Sequence, residues 1–332
     1  MNYLNDTLIT ADLHLTDRKA DEYRWKVFDD LLRIIKKRKV KYLLILGDLT
    51  EKKDVHSSIL IDRILRQFQR LASSGVKHVY FLMGNHDYEE PTKPFFQFLD
   101  LIPNVTFIKH MTSFNIGKAH CLFLPHTRSP KDDWKEWKLN KFDYIFTHQC
   151  YEGAVARSGM ELDGAKIKTK AIVISGDIHE PQRVQGVRYV GSPYPIVFGD
   201  EFDCRFIYLT KDKIKSIKRK TIRKITYRMT SPDQYNTVTG EPGDMVKVIF
   251  TLPKSEFGIW DTLKEQTKNF CKSKGIDLKG LELRAETVTN KKGKAGRKRL
   301  TSQTPKATYT AFCKQEKLSK EIVKAGTEFV KD

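Results

Sequence analysis

Residues 79–87 read VYFLMGNHD: five apolar residues, a glycine, and then three side chains able to bind a metal. An unbroken apolar run of this length predicts a strand buried on both faces, as in the parallel sheet of an α/β protein. The same pattern recurs on either side. Upstream, TLIT (7–10) leads into Asp12-Leu13-His14, and YLLIL (42–46) into Gly47-Asp48. Downstream, YIFT (144–147) leads into His148, and AIVIS (171–175) into Gly176-Asp177-Ile178-His179. Helical spacing fills the gaps. Trp25, Phe28, Leu31, Leu32 and Ile35 recur on one face ahead of Lys36, Lys37 and Arg38, cations that suit a helix C-terminus. Leu60, Ile64, Phe68 and Leu71 repeat the period before Gly75 stops it. Strand, helix, strand, helix, strand is an α/β order.

Ligands of an open α/β sheet bind in the crevice at the carboxyl ends of its strands, so side chains at five strand ends can converge there. The donors are carboxylates, imidazoles and one carboxamide, with no thiolate. Such a set suits manganese, iron, zinc or magnesium rather than a cysteine-based structural zinc. Asp12, His14, Asp48, Asn85, His148, Asp177 and His179 are too many for one ion. Two ions about 4 Å apart that share one carboxylate would use them all, an arrangement suited to in-line displacement at phosphorus. Any one of these motifs alone is commonplace, since Gly-Asp after a strand is usually a turn and a lone histidine is usually core or surface. Their joint placement is not: four of the nine histidines fall in clusters that directly follow strand-like runs. His56, His78, His110, His120 and His126 keep the ordinary reading.

The rest of the chain sets limits. Its 332 residues make roughly two domains. A hydrophobic fraction of 39% with 11% aromatics is too rich for a disordered chain, and no apolar run reaches the roughly 18–20 residues of a spanning helix. The N-terminal stretch lacks the basic and apolar regions of a secretory signal, which leads to the expectation of a cytoplasmic protein. Cys121, Cys150, Cys204, Cys271 and Cys313 are odd in number and widely spaced, as free thiols are. A net charge of +19 argues for a polyanionic partner. Nine basic residues against one acid, Asp212, lie between Lys211 and Arg228, in a two-periodic stretch from Arg205 that reads as an antiparallel hairpin. Lys213, Lys215, Lys218, Arg219, Lys220, Arg223 and Lys224 are the expected phosphate contacts. No helix-turn-helix, zinc finger or aromatic RNA-binding strand points to base-specific readout.

Beyond the hairpin, MVKVIFTL, a helical face of Phe257, Trp260, Leu263 and Phe270, and KGLELRAET form a strand, helix, strand unit. The expected organisation is a catalytic domain over 1–229, a small α+β cap over 230–290, a basic linker over 291–306 with six cations between Lys291 and Arg299, and a helical arm over 307–332. Tyr309, Phe312, Leu318, Ile322, Val323 and Phe329 give that arm two short amphipathic helices, too short to be stable alone in water, so they should dock on a partner.

In this order, D-L-H, G-D, G-N-H-D, T-H and G-D-I-H resemble the calcineurin-like metallophosphoesterase superfamily over residues 12–179. D-L-H-L at Asp12–Leu15, I-H-E-P-Q at Ile178–Gln182, Y-V-G-S-P-Y-P at Tyr189–Pro195 and CKQEKLSKEIVKAG near the C-terminus are similar to the SbcD-type recombination nucleases, of which bacteriophages encode compact versions. The resemblance implies a two-sheet sandwich flanked by helices, with two divalent metals, Mn2+ first and Mg2+ as the alternative. It implies that Asp12, His14 and His179 hold the first ion, Asn85 and His148 the second, with Asp48 bridging. His86 would contact the phosphate and protonate the leaving group, and Asp87 would fix its tautomer. Where the family has G-H-x-H, Asp177 replaces a histidine of the second metal, ligating directly or through water. The implied activity is 3′ to 5′ exonuclease action on duplex DNA ends and endonuclease action on single strands. The implied partners are an SMC-like coiled-coil ATPase and a second copy of the chain, paired through the face of the 57–74 helix. The alternatives are a phosphatase or cyclic-nucleotide phosphodiesterase, against which Gly47-Asp48-Leu49-Thr50 lacks G-D-x-x-D-R-G, and a non-catalytic DNA-binding subunit.

Overall fold

The computed structural model describes residues 3–156, 159–211 and 213–286. All five strands read from the sequence are present, within one residue of the expected ends. In chain order the elements are β1 (Thr7–Thr10), α1 (Glu22–Arg38), β2 (Tyr42–Leu46), α2 (Ser58–Ala72), β3 (His78–Leu82), β4 (Val105–Ile108), β5 (Thr112–Ile116), β6 (Ala119–Leu124) and α3 (Pro130–Asp133). There follow β7 (Tyr144–His148), β8 (Ile172–Gly176), β9 (Arg183–Val184), β10 (Val187–Tyr189), β11 (Arg205–Leu209), β12 (Ile214–Lys218), β13 (Lys224–Met229), β14 (Met245–Leu252), α4 (Trp260–Ser273) and β15 (Asp277–Ala285).

The strands make the two large sheets that the resemblance implies, ordered β12-β11-β1-β2-β3-β4 and β5-β6-β7-β8-β10-β9. β1 to β4 run parallel, as do β6, β7, β8 and β10. Alternation along each strand explains the sandwich. Leu43 and Ile45 pack with Phe28, Leu31 and Phe68 under α1 and α2, while Leu44 and Leu46 pack with Tyr144, Phe146 and Ile174 of the opposite sheet. Ile145 and Val173 face the other way, onto Trp134, Tyr151 and Tyr189. Every strand near the centre is thus apolar on both faces, the physical reason for the unbroken runs. Ser57 caps α2 by accepting from Leu60 N at 3.1 Å.

The hairpin expected to run to Arg228 ends at Lys218. β11 and β12 extend the first sheet, but β13 leaves it and pairs in parallel with β14, which pairs in parallel with β15. This third sheet has its own core, in which Val246, Val248, Phe250 and Leu252 meet Leu263 and Cys271 of α4. Phe257 sits one turn ahead of that helix, and with Trp260 and Phe270 is partly buried against the same core. The described residues belong to one compact unit. Cys121, Cys150, Cys204 and Cys271 are free, as expected. Among the described residues no helix is long and apolar enough to cross a membrane. The linker over 291–306, Cys313 and the arm with Tyr309, Phe312, Leu318, Ile322, Val323 and Phe329 lie outside the described residues.

Candidate metal centre

The two sheets deliver the C-terminal ends of β1, β2, β3, β7 and β8 to one crevice, and the backbone turns sharply there. Asp12, His14, Asp48 and Asp177 all adopt left-handed backbone, with φ of 55°, 42°, 55° and 81°. Each such residue costs on the order of 1 kcal/mol and persists only where its surroundings hold it. Here Asp12 N donates to Gly47 O at 3.1 Å, His14 N to Asp48 O at 2.9 Å, and Asp177 N to Asp12 Oδ1 at 3.0 Å. The glycines serve close approach: a Cβ on Gly47 would overlap the His148 ring, and one on Gly84 the Asp48 carboxylate.

All seven expected ligands are brought together. Asp12, His14 and His179 place one ligand atom each within 4.8 Å of one another, as do Asp12, Asp48 and His148, and His14, Asp48 and His86. His14 Nε2 is 3.0 Å from His179 Nε2 and 3.5 Å from Asp48 Oδ2. On the other side, His148 Nε2 lies 3.3 Å from Asp48 Oδ1 and 3.8 Å from Asp177 Oδ1. Asp48 therefore shows one oxygen to each half of the cluster. One face of the Asn85 amide closes the second half, 3.2 and 3.3 Å from the two Asp48 oxygens and 3.0 Å from His148 Nε2. With its nitrogen there it donates to Asp48; with its oxygen there it completes a ring of acceptors suited to a cation.

The chemistry of this set fits a pair of divalent cations. Asp12 Oδ2 is buried without a hydrogen-bond partner. His148 donates Nδ1–H to Leu46 O at 2.7 Å, which points Nε2 inward, the atom a ligating imidazole would offer to a cation. In the protein's own field, burial lifts the Asp12 carboxyl well above the usual range, with Asp48 and Asp177 adding to the effect. Burial acts against the charge of His148, yet Asp48, Asp12 and Asp177 raise this imidazole well above its ordinary value. Burial likewise opposes ionisation of Asp48, but His148, His14 and His86 outweigh it and hold that carboxyl far below. The three carboxylates call for positive charge at their centre.

His86 stands beside His14, ring centroids 4.8 Å apart, with its backbone N–H on Asp48 Oδ1 at 2.9 Å. The expected role of Asp87 needs correction. Its carboxylate accepts the backbone N–H groups of Gly84 (2.6 Å), Asp48 (2.9 Å) and Leu49 (2.9 Å), so it ties the β2 loop to the β3 loop. Burial, reinforced by Asp48, pushes it up to about 7. The His86 tautomer is held instead by Glu51 O, 2.7 Å from Nδ1. That carbonyl, Leu46 O and Arg24 carry no sequence signal. Y-V-G-S-P-Y-P did stand out, and its work is to brace the first loop: Ser192 Oγ donates to Asp12 O at 3.1 Å and Tyr194 OH to Leu13 O. His126 has its Nδ1 2.7 Å from Tyr88 OH and its ring centroid 6.3 Å from that of His148.

Of the seven expected DNA contacts, three are engaged within the fold. Arg219 is 8% exposed; its Nε donates to Asp30 at 2.8 Å and its Nη1 to Pro193 O at 2.9 Å. Lys224 is also 8% exposed and donates to Ile196 O at 2.9 Å. Arg223 pairs with the buried Asp244 through Nε at 2.8 Å and Nη2 at 2.5 Å. Lys213, Lys215, Lys218 and Lys220 are exposed, the last two beside Asp203 (2.8 Å) and Glu241 (3.2 Å).

The sequence model of the calcineurin-like phosphoesterases matches residues 6–181. No curated protein matches the chain. Solved structures similar to it include a novel archaeal phosphodiesterase, at 13% identity and a TM-score of 0.38, over 64% of this chain and 98% of that one. Another is the protein of unknown function AQ665 from Aquifex aeolicus, at 18% identity and 0.28, over 43% and 77%. A third is the nuclease MPE of Pseudomonas putida, at 14% and 0.33, over 64% and 88%.

Proposed function

The chain belongs to the calcineurin-like phosphoesterase family, and from that premise we propose that it is a two-metal phosphodiesterase whose substrate is DNA. The observation that carries the reading is the Asp48 carboxylate, with one oxygen toward His14 and the other toward His148. Asp12, His14 and His179 would hold one cation, Asn85, His148 and Asp177 the other. Bound there, a pair of divalent cations supplies an electrophile for the phosphoryl oxygens and a lowered pKa for an attacking water. With its Nδ1–H donating to Glu51 O, His86 has Nε2 available for the scissile phosphate, and as the imidazolium it would give the Nε2 proton to the departing 3′ oxygen. Oxygen and nitrogen donors without sulfur suit Mn2+, or Mg2+.

DNA is favoured as substrate by the net charge of +19 and by the exposed Lys213, Lys215, Lys218 and Lys220. The resemblance adds exonuclease action on duplex ends, endonuclease action on single strands, pairing of two copies and work in the cytoplasm beside an SMC-like ATPase gripped by residues 307–332. Purified protein with Mn2+ should degrade linear duplex DNA, and His86→Ala should stop cleavage while DNA binding persists. Absence of cleavage by the wild type, even with its ATPase present, would remove the enzymatic reading. Deletion from Ala307 onward should end co-purification with the ATPase; retained association would remove the docking reading.

A further inference from the structure

One guanidinium beneath the metal centre gathers the segments that build it. Arg24 on α1 is 2% exposed, and all of its nitrogens are engaged. Nη1 donates to His14 O and to Glu51 Oε2, the latter at 2.8 Å. Nη2 donates to Ile196 O at 3.3 Å and lies 3.3 Å from Asp21 Oδ1, while Nε reaches Tyr23 OH at 3.3 Å. The loop after β1, the loop after β2 and the segment ending in Ile196 thus meet on one planar fork of donors, a geometry that a lysine ammonium does not reproduce.

The contact with Glu51 leads on to the reacting side. Glu51 O holds Nδ1 of His86 at 2.7 Å, and Glu51 N donates to Leu15 O at 3.2 Å. Arg24 fixes the carboxylate of Glu51, and the backbone of the same residue fixes the imidazole. Burying a guanidinium costs several kcal/mol, which its ion pairs rarely recover in full, so stability alone is a weak reason for an arginine at this place on α1. An apolar side chain there would avoid that cost, as the buried Val27 and Phe28 on the same helix do.

We propose that Arg24 and Glu51 are positioning residues that set the His86 ring against the metal pair. The inference rests on the phosphodiesterase reading, in which His86 assists the leaving group. It predicts a specific kinetic signature. An ester of p-nitrophenol needs little acid assistance, whereas a dinucleotide, which expels a sugar hydroxyl, depends on it. With Mn2+, Glu51→Ala should lower kcat about tenfold on thymidine 5′-p-nitrophenyl phosphate and about a hundredfold or more on a dinucleotide, the scale of general acid catalysis, with KM little changed. Combined with His86→Ala it should add almost nothing on the dinucleotide. Arg24→Lys should show the same selectivity. Because a buried arginine variant is the one at risk of misfolding, the half-exposed Glu51 carries the primary test. In metal-free protein, long-range 1H–15N spectra of the His86 ring should show one Nδ1–H tautomer in the wild type and a mixture in Glu51→Ala. Equal losses on the two esters, or an unchanged tautomer, would overturn this inference alone. Failure of the wild type to cleave either ester would instead remove the phosphodiesterase reading beneath it.

Discussion

The metal crevice and the basic stretch from Lys211 to Arg228 are equally conspicuous in the sequence, yet only the crevice is put together as its residue types announce. In the crevice, seven side chains converge because each follows a strand end, and the strands run parallel within two facing sheets. In the basic stretch, cations of one chemical kind meet separate ends. Arg219 bonds Asp30, 189 positions away, and Lys224 bonds a carbonyl 28 positions away, while Lys213 and Lys215 remain exposed. Position along a strand is local information. The partner of a long cation is a property of the finished fold.

Substitutions should separate the two regions. The largest effect belongs to the crevice: Asp48→Ala should lower Mn2+-dependent phosphodiester hydrolysis by about a thousandfold or more, since both halves of the site lose a ligand. A loss below tenfold would mean that Asp48 does not bridge. Next, Arg219→Ala should lower stability by about 2–3 kcal/mol, read as a shift in denaturation midpoint, because Asp30 and Pro193 O lose their donor. If stability held while DNA affinity fell, the surface reading of Arg219 would be right after all.

Lys224 offers a subtler handle. Burial, with Arg24 adding to it, lowers its ammonium from 10.5 to about 8. Between those values the unfolded chain keeps the proton and the folded chain has lost it. Stability of the wild type should therefore rise with pH across that window relative to Lys224→Met. Parallel curves for the two proteins would contradict the buried placement. The smallest effects belong to Lys213→Ala and Lys215→Ala, each expected to weaken DNA binding a few-fold, reduce the salt slope by about one at most, and leave stability within about 0.5 kcal/mol. Binding unchanged in the double variant would move the DNA path elsewhere.

Period and residue type made the five strands, α1, α2 and the convergence of the seven candidate ligands legible in advance, because a doubly buried strand and a strand-end donor are both written locally. Two readings failed for want of that locality. Asp87 adjoins His86 in sequence, but its carboxylate is consumed by three backbone N–H groups, and Glu51 O, 35 residues before His86, holds the ring instead. The stretch through Arg228 stays two-periodic, so nothing local marks the handover after Lys218. It is the parallel pairing of β13 with β14 that assigns Lys224–Met229 to the third sheet.

Asp48 is expected to lie between two cations, the second reached by Asp177. Anomalous diffraction from crystals grown with Mn2+ tests it directly. Two peaks about 4 Å apart on either side of the Asp48 carboxylate, with Asn85, His148 and Asp177 around the second, are the expected result. A single peak among Asp12, His14 and His179 at saturating Mn2+ would contradict it.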